Sequence, residues 1–250
     1  MPATNRGKVL ASRLQVLALA ALFLLPASAL AATRPAVTFQ QKLQAHMTMI
    51  DARRCTFVQG LLEVALKANL PLALEYVDQN AAEKPLGIVL PKGTARRTIE
   101  AIVRMLPEYR VSFTEGLVDV YSPEARANRS NLLNEVIPQF QVEHMDVAVV
   151  GSMLYDALGS LMQPRVSFAH SVAGAGGPPV SVDVQHMRVY QILNMIVAGQ
   201  GSAMWTVGVP PPGLTKLQGN LWHLYPLAPA LAPVILERLR GLFPAQPHQR

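Results

Sequence analysis

Two stretches of this chain, about Met47–Ser122 and about Gln139–Tyr225, run through the same order of apolar and polar residues. That repetition restricts the fold more than any other feature. Asp51–Leu66 lies on Glu143–Leu158 without a gap, which matches Val58, Leu62, Ala65 and Leu66 with Val150, Leu154, Ala157 and Leu158. Further along, a constant shift of 94 sets Leu86–Leu90 on Val180–Val184, and Ile102 and Val103 on Ile196 and Val197. A small module repeated in tandem points to a scaffold or binding surface rather than to a catalytic centre.

Each copy reads as strand, helix, strand, strand, helix, hairpin, so the expected fold class is α+β with two tandem small modules. Extended pieces at Met47–Asp51 and Phe140–His144 open the copies. Apolar residues at helical spacing then predict helices over Thr56–Asn69 and Val147–Met162. Strands follow at Leu72–Val77 and Arg165–Ala169, and again at Leu86–Leu90 and Val180–Val184. Val180, Val182 and Val184 alternate with Ser181 and Asp183, the pattern of a half-buried strand. Second helices are expected over Thr94–Leu106, with Thr94 as N-cap, and over Arg188–Ala198. Hairpins close the copies: Arg110–Thr114 with Leu117–Tyr121, and Ala203–Val207 with Asn220–Tyr225.

The boundaries that follow are a leader over 1–31, an extension over 32–46, a first module over 47–123, a polar linker over 124–136, a second module over 137–226 and a Pro/Ala-rich tail over 227–250. Within the tail, Leu231–Phe243 suits a short amphipathic helix. The second hairpin is interrupted by a long Gly208–Gly219 connection containing Pro210, Pro211 and Pro212. Consecutive prolines favour polyproline II and present a surface at low entropic cost. With Trp222 and Tyr225 on the adjoining strand, these prolines form the candidate partner-binding surface. Alternation sends Trp205 into the core.

Arg6, Lys8 and Arg13 precede the apolar run Leu14–Leu25, and the small residues ending at Ala31 supply a cleavage site. This is the pattern of a secretory signal peptide. The run is shorter than the roughly 20 residues that span a bilayer, so no stable membrane span is expected. The mature protein is expected in the periplasm or secreted. Three of the 22 basic residues but none of the 16 acidic ones lie in the leader, which brings the formal charge from +6 to +3. The remaining basic residues are dispersed, so nucleic acid is not an expected partner. Cys55 is the only cysteine, which excludes an internal disulfide. It sits at a helix start, where a thiol is either packed in a small apolar slot or activated by the helix terminus.

No catalytic constellation emerges from the residue pattern, and no cofactor or metal is expected. His144, His170 and His186 lack the short spacing of metal ligands, so a metal-dependent hydrolase built on them is a weak alternative. Gly174–Pro179 leads into a strand, not into the helix N-terminus that would hold a phosphate. Asp156 and Asp183 come from separate elements and form no acid pair. A small-ligand binder with a cleft between the modules is the other alternative.

The first copy, through Leu86–Val103 with its Gly93-Thr94 turn and through the hairpin Tyr109–Val120, resembles the secretin and TonB short N-terminal domain. The second copy is less similar, because Gln185–Arg188 replaces the Gly-Thr turn and its hairpin is expanded. The resemblance implies a non-catalytic periplasmic module that binds an envelope protein: a secretion, pilus or outer-membrane transport component. Such modules usually precede an outer-membrane barrel. Too few residues follow Tyr225 for one, so a stand-alone relative is expected.

Overall fold

The computed structural model describes residues 37–77, 81, 84–114, 116–129, 131–162, 178–208 and 222–226. The leader, the Arg165–Ala169 strand, the Pro210–Pro212 loop and the tail helix lie outside the described residues. The described residues from Thr38 onward form one compact unit. It contains both helices and strands, as an α+β fold requires.

A short helix α1 (Phe39–Leu43) opens it, capped by Thr38. The first copy then runs through β1 (His46–Met47), β2 (Ile50–Ala52), α2 (Phe57–Ala68), β3 (Leu72–Val77), β4 (Ile88–Leu90), β5 (Gly93–Thr94), α3 (Ala95–Val103), β6 (Arg110–Thr114) and β7 (Leu117–Tyr121). The connection to the second copy is itself ordered, as helix α4 (Pro123–Ala127) and a 3-10 turn (Leu132–Asn134). The second copy follows with β8 (Val136–Met145), α5 (Val147–Leu161), β9 (Val180–Arg188), α6 (Val189–Gln200), β10 (Ala203–Gly208) and β11 (Trp222–Pro226).

Local chemistry sets the helix ends. Thr56 and Thr94 accept from the backbone N–H three residues on, and Thr56 forms a capping box with Gln59. Asp146 caps α5. Asn69 and Gly201 close α2 and α6 in the left-handed conformation, at φ 50° and 74°.

The two copies share one sheet. Its strand order is β11-β10-β3-β7-β6. The outer pairs β10–β11 and β6–β7 are antiparallel hairpins, whereas β3 runs parallel to both β10 and β7. Trp205 of the second copy therefore lies beside Ala73 of the first. Alternation along the strands then divides the core. Leu72, Leu74, Val118, Val120 and Met204 face α2 and α3 in one cluster, while Ala73, Leu117, Ala203, Trp205 and Val207 face α5 and α6 in another. Each copy's helices thus cover an opposite face of a common sheet. This is why Leu72-Ala-Leu74 is buried at every position instead of at every second one.

Each copy also carries a two-stranded ribbon packed on its own helices. In the first, His46↔Thr94 and Met47↔Gly93 continue in one register into Ile50↔Leu90 and Ala52↔Ile88. The break between them falls at Pro91, which has no N–H to give. The second ribbon pairs Val136↔Arg188 through Val142↔Val182, then shifts to Met145↔Val180. The first ribbon shifts at the same place, where Leu86 donates to the Cys55 carbonyl at 2.8 Å after Ala52↔Ile88.

These registers correct the gap-free alignment of the copies. Thr56 and Asp146 are the equivalent N-caps, 90 residues apart, not 92. Phe57, Gly60, Leu61, Val64, Ala65 and Ala68 then match Val147, Val150, Gly151, Leu154, Tyr155 and Leu158, all buried. The gap-free alignment instead set buried Val64 on exposed Asp156. The shift of 94 for the second ribbon strand and second helix holds, since Thr94 and Arg188 are equivalent helix caps.

Candidate protein-interaction site

Among the described residues, β6 forms one edge of the shared sheet. In its hairpin Thr114 pairs with Leu117. Val118, opposite Phe113, gives its N–H to the Pro71 carbonyl at 3.0 Å, on the side of β3. The Phe113–Val118 pair is therefore a non-hydrogen-bonded one, and the ladder alternation turns the backbone N–H and C=O of Phe113 and Val111 outward. Among the described residues no strand pairs with this side of β6, whose five residues are half-buried or exposed. An unpaired row of this kind is a template for a further strand.

Beside this edge, α3 and β6 enclose a cleft of about 490 Å³. Val103, Tyr109 and Val111 provide its apolar floor, and Glu100, Arg104 and Arg110 line it as well. Tyr109 is buried and its ring lies 5.0 Å from that of Phe57, which fixes the floor to α2. Further along the edge, the Arg96 guanidinium lies 4.7 Å from the centre of the Phe113 ring and bonds Glu100 at 3.0 Å. Among the described residues Arg104 and Arg110 bond only backbone carbonyls: Nε of Arg104 donates to Glu100 O at 3.1 Å, and Nη1 of Arg110 donates to Pro107 O and Tyr109 O at 2.6 and 2.8 Å. Glu108 sits in the same turn but does not line the cleft. The lining is net positive.

A buried charge network holds the other end of the first copy to the second. Glu75 on β3 and Asp119 on β7 are 1% and 4% exposed, and both face the second copy's side of the sheet. Arg126 of α4 reaches both, donating from Nε and Nη2 to the two Glu75 oxygens at 2.8 and 2.5 Å and from Nη2 to Asp119 Oδ2 at 2.6 Å. Its guanidinium is held between the rings of Tyr121 and Tyr190, 3.7 and 4.6 Å from their centres. Asn194 of α6 donates to Asp119 at 3.3 Å and accepts from the Trp205 indole at 2.8 Å. Two carboxylates share one guanidinium. Burial pushes the Glu75 carboxyl up to about 7 against the pull of Arg126, and the Asp119 charge adds to the rise. Residue pattern alone missed this network. The signal was Glu75, a single acid inside the apolar run Leu72–Val77.

Two of the expected site residues have a described backbone. Trp222 and Tyr225 lie on β11, opposite Val207 and Met204. Their side chains, and the whole of Pro210, Pro211 and Pro212, lie outside the described residues. Trp205 is fully buried. His144 and His186 sit at exposed positive-φ positions, 50° and 51°, at the bulge of β8 and opposite the ladder gap at Pro138 in β9. His170 lies outside the described residues, and among the described residues no group of three His, Cys, Asp or Glu side chains is placed to hold a metal. Cys55 is half-buried, and burial, with the charges of Glu63 and Asp51 adding to it, raises its thiol pKa. That is the opposite of activation by a helix terminus. No helix among the described residues is long and apolar enough to cross a membrane.

No protein-family model, curated protein or solved structure matches this chain.

Proposed function

We propose that this chain is an exported, non-catalytic interaction module of the bacterial cell envelope, an adaptor that binds a secretion, pilus or outer-membrane transport component by pairing along a sheet edge. The observation that carries the reading is the β6 edge, whose outward backbone groups lie beside an apolar-floored cleft. Strand addition draws affinity from main-chain hydrogen bonds and specificity from adjacent pockets, and this edge offers both. The basic, apolar, small-residue start of the sequence supports export, with cleavage after Ala31. The likeness of the first copy to the secretin and TonB short N-terminal domain supports an envelope partner.

In-cell crosslinking of the mature protein in its native host, followed by mass spectrometry, tests the reading. Repeated recovery of one envelope, secretion or outer-membrane transport component is the expected result. Recovery of nothing above background overturns it. N-terminal sequencing of the same material is expected to begin at Ala32.

A further inference from the structure

Resting on the adaptor reading, the geometry points to one class of occupant for the β6 edge: an extended protein segment that adds as a new strand beside β6 and places a carboxylate between Arg104 and Arg110. Two independent features of the first copy converge on it.

The first is the edge itself. Val111 and Phe113 direct their N–H and C=O groups away from β7, as the Val118–Pro71 hydrogen bond requires. A strand laid along β6 satisfies these groups without disturbing any bond inside the sheet.

The second is charge. Among the described residues, Arg104 and Arg110 have no carboxylate partner and bond only carbonyl oxygens of their own turn. Glu100, the acid that lines the cleft, is already matched with Arg96 at 3.0 Å. The cleft therefore holds two guanidinium groups over an apolar floor, with free donors remaining on each. Guanidinium forks match carboxylates in geometry, and a charge-assisted pair beside an apolar floor is stronger than one in open water. A basic segment meets repulsion in the same place. The edge thus discriminates by charge as well as by extended backbone, which a sheet edge alone does not.

The test uses the full mature chain and two synthetic probes: an extended peptide of alternating Val and Thr that ends in two glutamates, and the same peptide ending in two lysines. Binding is followed by amide chemical shifts. The expected result is saturable binding of the glutamate peptide with shifts centred on Val111 and Phe113, and binding of the lysine peptide weaker by about tenfold or more. Arg104→Glu combined with Arg110→Glu changes only exposed side chains and is expected to invert the preference between the two peptides. Val111→Pro removes an outward donor and is expected to abolish binding of both, with a melting curve confirming that the variant is folded. Equal binding of the two peptides, shifts centred elsewhere, or no binding overturns the inference. So does concentration-dependent self-association that moves the same amides, since the occupant is then a second copy. None of these results bears on in-cell capture, so the adaptor reading stands or falls separately.

Discussion

Glu75 concentrates the electrostatic cost of the fold in one side chain. Because its folded pKa is raised from 4.5 to about 7, the folded state keeps a proton that the unfolded state releases between those values. The stabilisation is fully present below about pH 4.5 and is lost as pH rises to about 7. At one pKa unit per 1.36 kcal/mol, the loss is on the order of 3 kcal/mol. Denaturant unfolding at a series of pH values is expected to show stability falling over that window, and Glu75→Gln is expected to flatten the profile. A wild-type profile that rises over the same window contradicts this account of Glu75. Arg126 is the counterpart. Arg126→Met leaves two carboxylates buried without their shared cation and is expected to cost about 3–5 kcal/mol at neutral pH, read from the denaturant midpoint. Cys55 needs no such account: its raised thiol pKa and partial burial suit a packing residue at the ribbon shift.

At the scale of elements, the two-residue correction between the copies has a direct consequence. Val64 is fully buried against the first core, whereas Asp156, which the gap-free alignment placed opposite it, points to solvent. Val64→Asp is expected to cost about 3–5 kcal/mol and Asp156→Val to change stability by no more than about 0.5 kcal/mol, both measured by chemical denaturation. Similar effects at the two sites would restore the gap-free alignment. The error has a physical origin. Val147-Ala-Val-Val150 is apolar at four consecutive positions, so helical spacing alone accepts several registers, and only the N-caps Thr56 and Asp146 select one. Where a segment had one polar face, the pattern was legible: Val180–Val184 alternates between buried and exposed as its sequence does. Helices α2, α3, α5 and α6 were legible from their apolar spacing, and the hairpin β6–β7 from the Glu115-Gly116 turn between its strands. Helix α4 was not, because Pro123–Ala127 buries no residue fully and is held by Ser122 and by the reach of Arg126 instead of by an apolar stripe.

The whole molecule is more than two modules joined by a linker. Pairing between β3 and β10 joins strands about 130 residues apart, and no local pattern records it. The consequence was visible only as an unusually apolar Leu72–Leu74 and a single buried acid after it. The linker contributes through Arg126, whose guanidinium touches Tyr121 of the first copy and Tyr190 of the second. The extension before the first copy contributes through Lys42, whose ammonium donates to the Gly201 carbonyl at 3.1 Å, at the C-terminal end of α6, where a cation is favoured. The sheet that results has β3 at its centre, and β6, from the first copy, as the edge proposed for binding. Amide hydrogen exchange on the free, purified chain tests both statements at once. The account predicts that the amides of Leu72, Ala73 and Leu74 exchange only through global unfolding, while those of Val111 and Phe113 exchange close to the rate of an unfolded peptide. Exchange of the β3 amides as readily as those outward β6 amides would contradict the shared sheet, and strong protection of Val111 and Phe113 in the free chain would contradict the open edge.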